Sequence, residues 1–216
     1  MTRNKVTVKF GALLFGGLLL ASCAPSMSSG QMNAGMMREP MGRLSVAQPA
    51  PTASANGLTL SSAQFRNGGT VPLEQVGSGN GCAGQSVSPA LSWSGAPAGT
   101  VSYALTTYDP DAPTGSGFWH WVVYNIPASA TGLDKGAGSG TFNLPAGAAQ
   151  ANNDGGAPGY TGPCPPPGDA PHHYVFTLYA LNKTLDLPPS ASAAYVGFSL
   201  NGATLAKTSI VATYGR

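Results

Sequence analysis

The sequence predicts a mainly β protein, an antiparallel β-sandwich with few short helices. Thirty glycines and nineteen prolines in 216 residues indicate many turns, which suit short strands better than long helices. From Gly57 onward, short runs of alternating apolar and polar residues stand between these turn residues. The hydrophobic content of 42% is enough to form one globular core over residues 57–216.

Five runs have the alternation or composition of a strand. They are Leu91 to Ser94, Val101 to Tyr108, Phe118 to Ile126, Tyr174 to Leu181 and Val196 to Leu200. The sequence favours a helix only in the C-terminal stretch from Ala203 to Tyr214. We therefore expect strands throughout the domain and one helix at its end.

Residues 1–22 have the features of a signal peptide. A basic segment precedes an apolar run from Phe10 to Ala21, which is too short to span a bilayer as an ordinary helix. The run ends in Leu20-Ala21-Ser22-Cys23, which resembles the lipobox of bacterial lipoproteins. That resemblance implies cleavage before Cys23 and a lipid on this cysteine, whereas the alternative is an ordinary secretory signal. Ala24, in place of an aspartate, implies anchoring in the outer membrane, facing the periplasm.

Residues 23–56 form a predicted flexible linker, since they are rich in Ala, Ser, Pro and Gly and have no apolar periodicity. The linker contains five of the six methionines, Met27, Met32, Met36, Met37 and Met41. Clustered thioethers can bind Cu(I), but no histidine or free cysteine lies among them. The composition therefore favours a plain linker over a copper site.

Charge and cysteine content narrow the partners and the compartment. Without the three basic residues of the signal peptide, seven basic residues face eight acidic ones, which gives a net charge of −1. A concentrated basic face is absent, so nucleic acid is not an expected partner. If Cys23 carries a lipid, Cys82 and Cys164 remain as an even pair in an oxidising compartment. We expect them to form a disulfide, and two buried thiols are the alternative.

Two segments hold all three histidines, YDPDAPTGSGFWHWVVYNIP at residues 108–127 and PHHYVFTLYALN at residues 171–182. Asp109 ends one predicted strand, and His120 and His172 lie near the starts of two others. If these strand ends meet, a carboxylate and two imidazoles converge and can bind a small anion. Alternation places His173 on the opposite face from His172. The loop before His172 is rich in Gly and Pro, so its backbone N–H groups are available to an anion.

Four stretches carry a family resemblance, VSPALSW at residues 87–93, residues 108–127, GYTGPCPPPGDAPHHYVFTLYAL at residues 159–181, and the closing LAKTSIVATYGR. They resemble the phosphatidylethanolamine-binding protein family, in its bacterial YbhB/YbcL-like branch, over residues 57–216. The resemblance implies a Greek-key β-sandwich with a small pocket for phosphate-like groups. By position, it implies that the pocket residues are Asp109, Asp111, His120, His172 and Tyr174, with backbone from Gly162 and Pro163.

Three classes of function follow from these observations. The leading interpretation is a non-enzymatic binding protein, tethered by lipid to the bacterial envelope, that recognises a small anion, a lipid headgroup or a protein partner presenting one. The family also contains kinase and protease inhibitors, so inhibition of a partner is the nearest alternative. A zinc-dependent hydrolase is the third, because two imidazoles and two carboxylates could bind zinc.

No catalytic residue, metal or cofactor is predicted, because the sequence has no H-E-x-x-H, G-x-S-x-G or C-x-x-C motif. The string GNGCAG at residues 79–84 matches G-x-G-x-x-G. It leads into Ser-Val-Ser-Pro rather than a helix, so we do not interpret it as a dinucleotide site.

Overall fold

The computed structural model describes residues 57–216, so the predictions for the signal peptide, for the linker and for Cys23 lie outside the described residues. The strands are β1 (Thr59–Ser62), β2 (Gly69–Thr70), β3 (Leu91–Ser94), β4 (Ser102–Asp109), β5 (Phe118–Pro127), β6 (Gly132–Leu133), β7 (Ala149–Gln150), β8 (His172–Leu181) and β9 (Thr204–Tyr214). One α-helix, α1 (Ala193–Ser199), precedes β9, and a 3-10 turn spans Leu73–Gln75. Within residues 57–216, none of the helices has the length and apolar character needed to cross a membrane.

The strands form two open sheets, one of six strands in the order β2-β9-β8-β4-β5-β7 and one of three in the order β1-β3-β6. The pairings are antiparallel except for the short contact between β2 and β9. The long connection after β5 brings β8 to the other side of β4, as a Greek-key arrangement requires. The predicted mainly β, antiparallel Greek-key sandwich is confirmed.

The main core lies between the two sheets. Trp93 and Leu133 of the smaller sheet belong to the same buried cluster as Leu105, Trp121 and Phe176 of the larger sheet. These side chains alternate with residues that face away, because successive side chains of a strand point to opposite faces. Burial of each large apolar side chain contributes on the order of 2 kcal/mol. The cluster thus fixes the strands whose ends form the site.

The outer face of the larger sheet is also covered. Val122 and Tyr124 of β5 share a second buried cluster with Val196 and Leu200 from α1 and the residue after it. Strand β4 is therefore buried along its whole length, on both faces. A strand covered on both sides is held firmly, so its C-terminal end at Asp109 is a rigid support for a binding site.

The prediction of a strand from Val196 to Leu200 is wrong, because this segment belongs largely to α1. Ser192 caps the helix, and its side chain accepts a hydrogen bond from the backbone N–H of Tyr195. Ala193, Val196 and Leu200 are buried at helical spacing. The spacing of apolar residues in this short run fits both a strand and a helix. The cap at Ser192 and the packing against the face of the larger sheet favour the helix.

The prediction of a helix from Ala203 to Tyr214 is also wrong, since β9 occupies almost all of that stretch. Strand β9 pairs with β8 along its length, and Ile210 lies opposite Phe176. The segment has many β-branched residues, which pack well on a pleated sheet. Pairing with the long β8 decides its structure, and that contact is not visible in local sequence.

Candidate ligand-binding site

A cavity of about 210 Å³ lies at the ends of three strands of the larger sheet. It is smaller than the 300–1,000 Å³ or so typical of pockets for drug-sized ligands, so its size suits a small polar group. Its wall combines the turn after β4, the starts of β5 and β8, and two loops. The lining residues are Asn80, Asp109, Ala112, Pro113, Thr114, Phe118, His120, Thr161, Gly162, Cys164, Pro165, Pro166, His172 and Tyr174.

Strand pairing explains why these distant segments meet. Strand β4 runs antiparallel to both β5 and β8, so its C-terminal end lies beside the starts of both neighbours. Asp109 lies opposite Phe118 in one pairing, and Tyr108 lies opposite Val175 in the other. The structure therefore brings Asp109, His120 and His172 to one cavity.

Asp109 and His172 form a buried pair on the cavity wall. Oδ2 of Asp109 lies 2.8 Å from Nδ1 of His172, and both side chains are about 95% buried. Oδ1 of Asp109 accepts hydrogen bonds from the backbone N–H groups of Asp111 and Ala112 at 2.8 and 3.1 Å. A carboxylate only accepts, so Nδ1 of His172 carries the proton. The turn therefore holds Asp109, and Asp109 orients the imidazole.

The second nitrogen of His172 has only a long contact with the protein. Nε2 of His172 is 3.5 Å from Oδ2 of Asp169, whose side chain is 44% exposed. This separation is too long for a strong hydrogen bond. A ligand can therefore bind Nε2 of His172 without displacing a short hydrogen bond of the protein.

His120 has a fixed tautomer. Its Nδ1 lies 2.7 Å from the carbonyl oxygen of Thr161, which can only accept a hydrogen bond. Burial lowers the pKa of His120, although the bond to Thr161 and the charge of Asp109 act in the opposite direction. The ring is therefore neutral at neutral pH, with its proton on Nδ1 and a lone pair on Nε2. Phe118 and Tyr174 flank the ring at centroid distances of 4.8 and 5.2 Å.

Tyr174 contributes a hydroxyl that has no hydrogen-bond partner among the described residues, although the residue is fully buried. Burial raises the pKa of Tyr174, and the negative charge of Asp109 raises it further, so the hydroxyl keeps its proton. Leaving a buried hydroxyl unpaired costs roughly 1–3 kcal/mol. An acceptor atom of a ligand in the cavity would remove that cost.

Gly162 sets the position of the loop that closes one side of the cavity. A Cβ at this residue would lie 2.5 Å from the carbonyl oxygen of Gln75, so no other residue fits without moving the backbone. The neighbouring Pro163 accepts a hydrogen bond of 2.9 Å from the N–H of Gly77. The loop is thus packed directly against the chain that follows the 3-10 turn.

A disulfide joins Cys82 to Cys164, with the Cα atoms 5.9 Å apart. Cys164 lines the cavity, and Cys82 lies in the loop that includes Asn80. The bridge therefore links two loops of the cavity wall.

Two residues implied by the resemblance, Asp111 and Pro163, do not line the cavity. Oδ2 of Asp111 accepts from the backbone N–H of His173 at 2.8 Å and lies 2.6 Å from Nδ1 of His173. The carboxylate of Asp111 therefore joins the turn after β4 to strand β8, beside the cavity. His173 is absent from the cavity wall, and its side chain is 34% exposed.

Several residues near the site were missed by sequence reasoning. Phe118 could have been found, because it precedes His120 by two positions on the same strand face. Asn80 and Arg216 had no local signal. Arg216 donates from Nε to the carbonyl oxygen of Pro165 at 2.8 Å and from Nη2 to that of Asn80 at 3.0 Å. The last residue of the chain therefore links the same two loops as the disulfide.

Within residues 57–216, no group of three or more His, Cys, Asp or Glu side chains is arranged to hold a metal ion. The structure pairs the histidines and aspartates instead, His172 with Asp109 and His173 with Asp111. His120 is bonded to a backbone carbonyl rather than a carboxylate. Each of the three histidines therefore has a partner within the protein for its Nδ1 atom.

The fold and the cavity define the class, a β-sandwich protein whose strand ends enclose a small cavity with an aspartate and two histidines in its wall. The chain belongs to the phosphatidylethanolamine-binding protein family, because the model of the family described as "Phosphatidylethanolamine-binding protein" matches residues 61–215.

Named relatives are similar over the same region. The YbcL protein of Escherichia coli is 48% identical over 167 residues, which are 76% of this chain and 90% of YbcL. The crystal structure of E. coli YbcL, described as a member of the mammalian PEBP family, has a TM-score of 0.72 and covers 74% of this chain and 99% of that one. LppC of Mycobacterium tuberculosis, a candidate lipoprotein by its name, is 39% identical and covers 77% of this chain and 75% of LppC.

Proposed function

We propose that this protein binds a small anionic ligand, a phosphate-like group or a phospholipid headgroup, in the cavity at the ends of β4, β5 and β8. The observation that carries the proposal is Tyr174, a residue of the cavity wall whose hydroxyl is buried and has no partner among the described residues. An oxygen of an anion would accept this hydrogen bond. The description of the family, which names a phosphate-containing lipid, supports the same class of ligand.

The remaining groups of the cavity suit a ligand with several oxygen atoms. His172 is held by Asp109 and has Nε2 free of a close contact, 3.5 Å from Asp169. His120 and Tyr174 lie next to each other, with ring centroids 5.2 Å apart. A tetrahedral oxyanion has several oxygen atoms, so different oxygens are available to different side chains of the cavity. The small volume then limits the bound part to one such group.

We also propose that a lipid on Cys23 tethers the domain to the bacterial envelope, in the outer membrane and facing the periplasm. The lipobox-like sequence at Leu20 to Cys23 supports this proposal, and so does the name of the similar protein LppC. A linker at residues 23–56 would let the cavity reach ligands near the membrane surface.

Replacing the proposed lipid-bearing cysteine, Cys23→Ser, is expected to abolish lipid attachment, because the thiol is the group that would accept the first lipid chain. The measurement is metabolic labelling with a radioactive or clickable fatty acid, followed by fractionation of cells. The variant should be unlabelled and either uncleaved or released in soluble form. Equal labelling of wild type and variant would contradict the proposed anchor.

Replacing the buried tyrosine, Tyr174→Phe, is expected to weaken binding of inorganic phosphate or phosphoethanolamine about tenfold, because it removes one donor to a charged acceptor and keeps the ring. The measurement is titration calorimetry on the purified protein. Tyr195→Phe is the matched control, since Tyr195 is 49% exposed on α1 and does not line the cavity. Unchanged affinity in Tyr174→Phe, with normal circular dichroism, would contradict the proposed site.

A further inference from the structure

The cavity wall has no permanent positive charge to meet an anion. Among the described residues no lysine or arginine lines the cavity, and the guanidinium of Arg216 is bonded to carbonyl oxygens of the two wall loops. The carboxylate of Asp109 already places one negative charge in the wall. A bound anion would be repelled by this buried carboxylate unless a cation forms between the two. A histidine of the wall can supply this cation by taking up a proton.

His172 has the geometry to become that cation. Its Nδ1 donates to Oδ2 of Asp109 at 2.8 Å, so the neutral ring presents only a lone pair at Nε2. A phosphodiester carries no proton near neutral pH, and its oxygens would meet that lone pair with lone pairs of their own. A proton on Nε2 replaces this repulsion with a charge-assisted hydrogen bond. The carboxylate of Asp109 then stabilises the positive charge from the other side of the ring.

His120 is less suited to take up the proton, because burial lowers the pKa of His120 and a positive charge on His172 lowers it further. Its Nδ1 proton is bonded to the carbonyl oxygen of Thr161, so the neutral ring keeps a lone pair at Nε2. The oxygen of Asp109 that contacts His172 also has one acceptor position left. These two acceptors remain available to water or to N–H and O–H groups of a headgroup, while Tyr174 supplies a neutral donor.

We propose that the cavity takes up one proton from solvent with each phosphodiester anion that it binds, and that Nε2 of His172 is the atom that receives this proton. In the bound state, Asp109 accepts from Nδ1 of the imidazolium and the anion accepts from Nε2. Binding is therefore strongest at low pH and weakens as the pH rises, so a rise in pH releases the ligand. This inference rests on the proposed function and adds a regulation of the same site.

Several other ionisable groups surround the ring of His172. They are Asp109 at the end of β4, Asp111 in the turn after it, His120 of β5, Asp169 in the loop before β8, His173 and Tyr174 of β8, and Tyr214 and Arg216 at the end of the chain. Carboxyl, phenol and guanidinium groups ordinarily titrate outside a window of about pH 6 to 9, whereas imidazoles titrate inside it. Within this window the test must therefore separate His172 from the other two histidines.

The probe is dimethyl phosphate, a phosphodiester without a proton to give, so a proton taken up on binding is taken up by the protein. Titration calorimetry near pH 8, in two buffers of different ionisation enthalpy, should give an uptake of about one proton per ligand. The affinity should fall by about tenfold from pH 7.5 to 8.5, as the uptake of one proton requires. A constant affinity from about pH 6 to 9, without proton uptake, would overturn the inference and leave the proposed function standing. If neither dimethyl phosphate nor inorganic phosphate binds at any pH, both fail together.

Two variants assign the proton to its residue. His172→Gln keeps an N–H donor that does not ionise, so its proton uptake should fall close to zero and its affinity should lose the pH dependence. His173→Ala is the matched control, since it removes an imidazole that does not line the cavity and should keep the wild-type uptake. A His172→Gln protein that is folded by circular dichroism and still takes up a full proton would overturn the role of His172. If this variant does not fold, nitrogen NMR of the histidine rings in the wild type decides, and a ligand-induced charge on another ring would overturn the assignment.

Discussion

Replacing both bridged cysteines, Cys82→Ser with Cys164→Ser, is expected to lower the free energy of unfolding by roughly 4 kcal/mol. The disulfide closes a loop between residues separated by 82 positions, and a long closed loop restricts the unfolded chain strongly. The measurement is equilibrium unfolding in urea of the oxidised wild type and the double variant. Reductant should destabilise the wild type by a similar amount and leave the double variant unaffected.

The same change is expected to affect the cavity less than it affects stability. Arg216 also links the two wall loops, through the carbonyl oxygens of Asn80 and Pro165. Gly77 and Pro163 add a backbone hydrogen bond between the same regions. Phosphate affinity of the folded double variant should therefore fall by only a few-fold. An unchanged unfolding midpoint would contradict the stabilising role assigned to the bridge.

The strand ends that form the site could be predicted because their signals are local. Alternation along β4 and a following proline place Asp109 at the end of a strand, and the run from Phe118 places His120 at the start of the next. Antiparallel pairing of neighbours then brings such ends together. Cysteine parity extended the prediction to a distant loop, since Cys82 and Cys164 are joined as expected.

Other features could not be predicted because distant contacts decide them. The segments of α1 and β9 each fit both helix and strand. The packing of α1 against β5 selects the helix, and the pairing of β9 with β8 selects the strand. Asp111 lies in a turn, where alternation gives no direction for a side chain, and the backbone N–H of His173 holds its carboxylate beside the cavity. The packing of Gly162 against Gln75 also has no trace in local sequence.

Replacing the buried imidazole, His172→Ala, is expected to weaken phosphate binding by about tenfold, because it removes the hydrogen bond between Nε2 of His172 and the ligand. His172 is about 95% buried, lines the cavity and is oriented by Asp109. Its removal also leaves one oxygen of the buried Asp109 carboxylate without its partner, which costs stability. Calorimetric titration with phosphate measures the affinity, and thermal unfolding measures the second effect.

The control is His173→Ala, because His173 is the next residue of β8 and its side chain points to the opposite face of the strand. Its ring contacts Asp111, is 34% exposed and does not line the cavity. Binding in this variant should stay within about twofold of the wild type, since the ring of His173 does not line the cavity and lies on the rim of the sheet beside it. The phosphate affinity of Asp109→Asn should lie between those of His172→Ala and His173→Ala, because the amide keeps the shape of the carboxylate but no longer fixes the tautomer of His172. A loss of binding in His173→Ala, with His172→Ala unaffected, would place the ligand on the other face of β8 and remove the cavity from consideration.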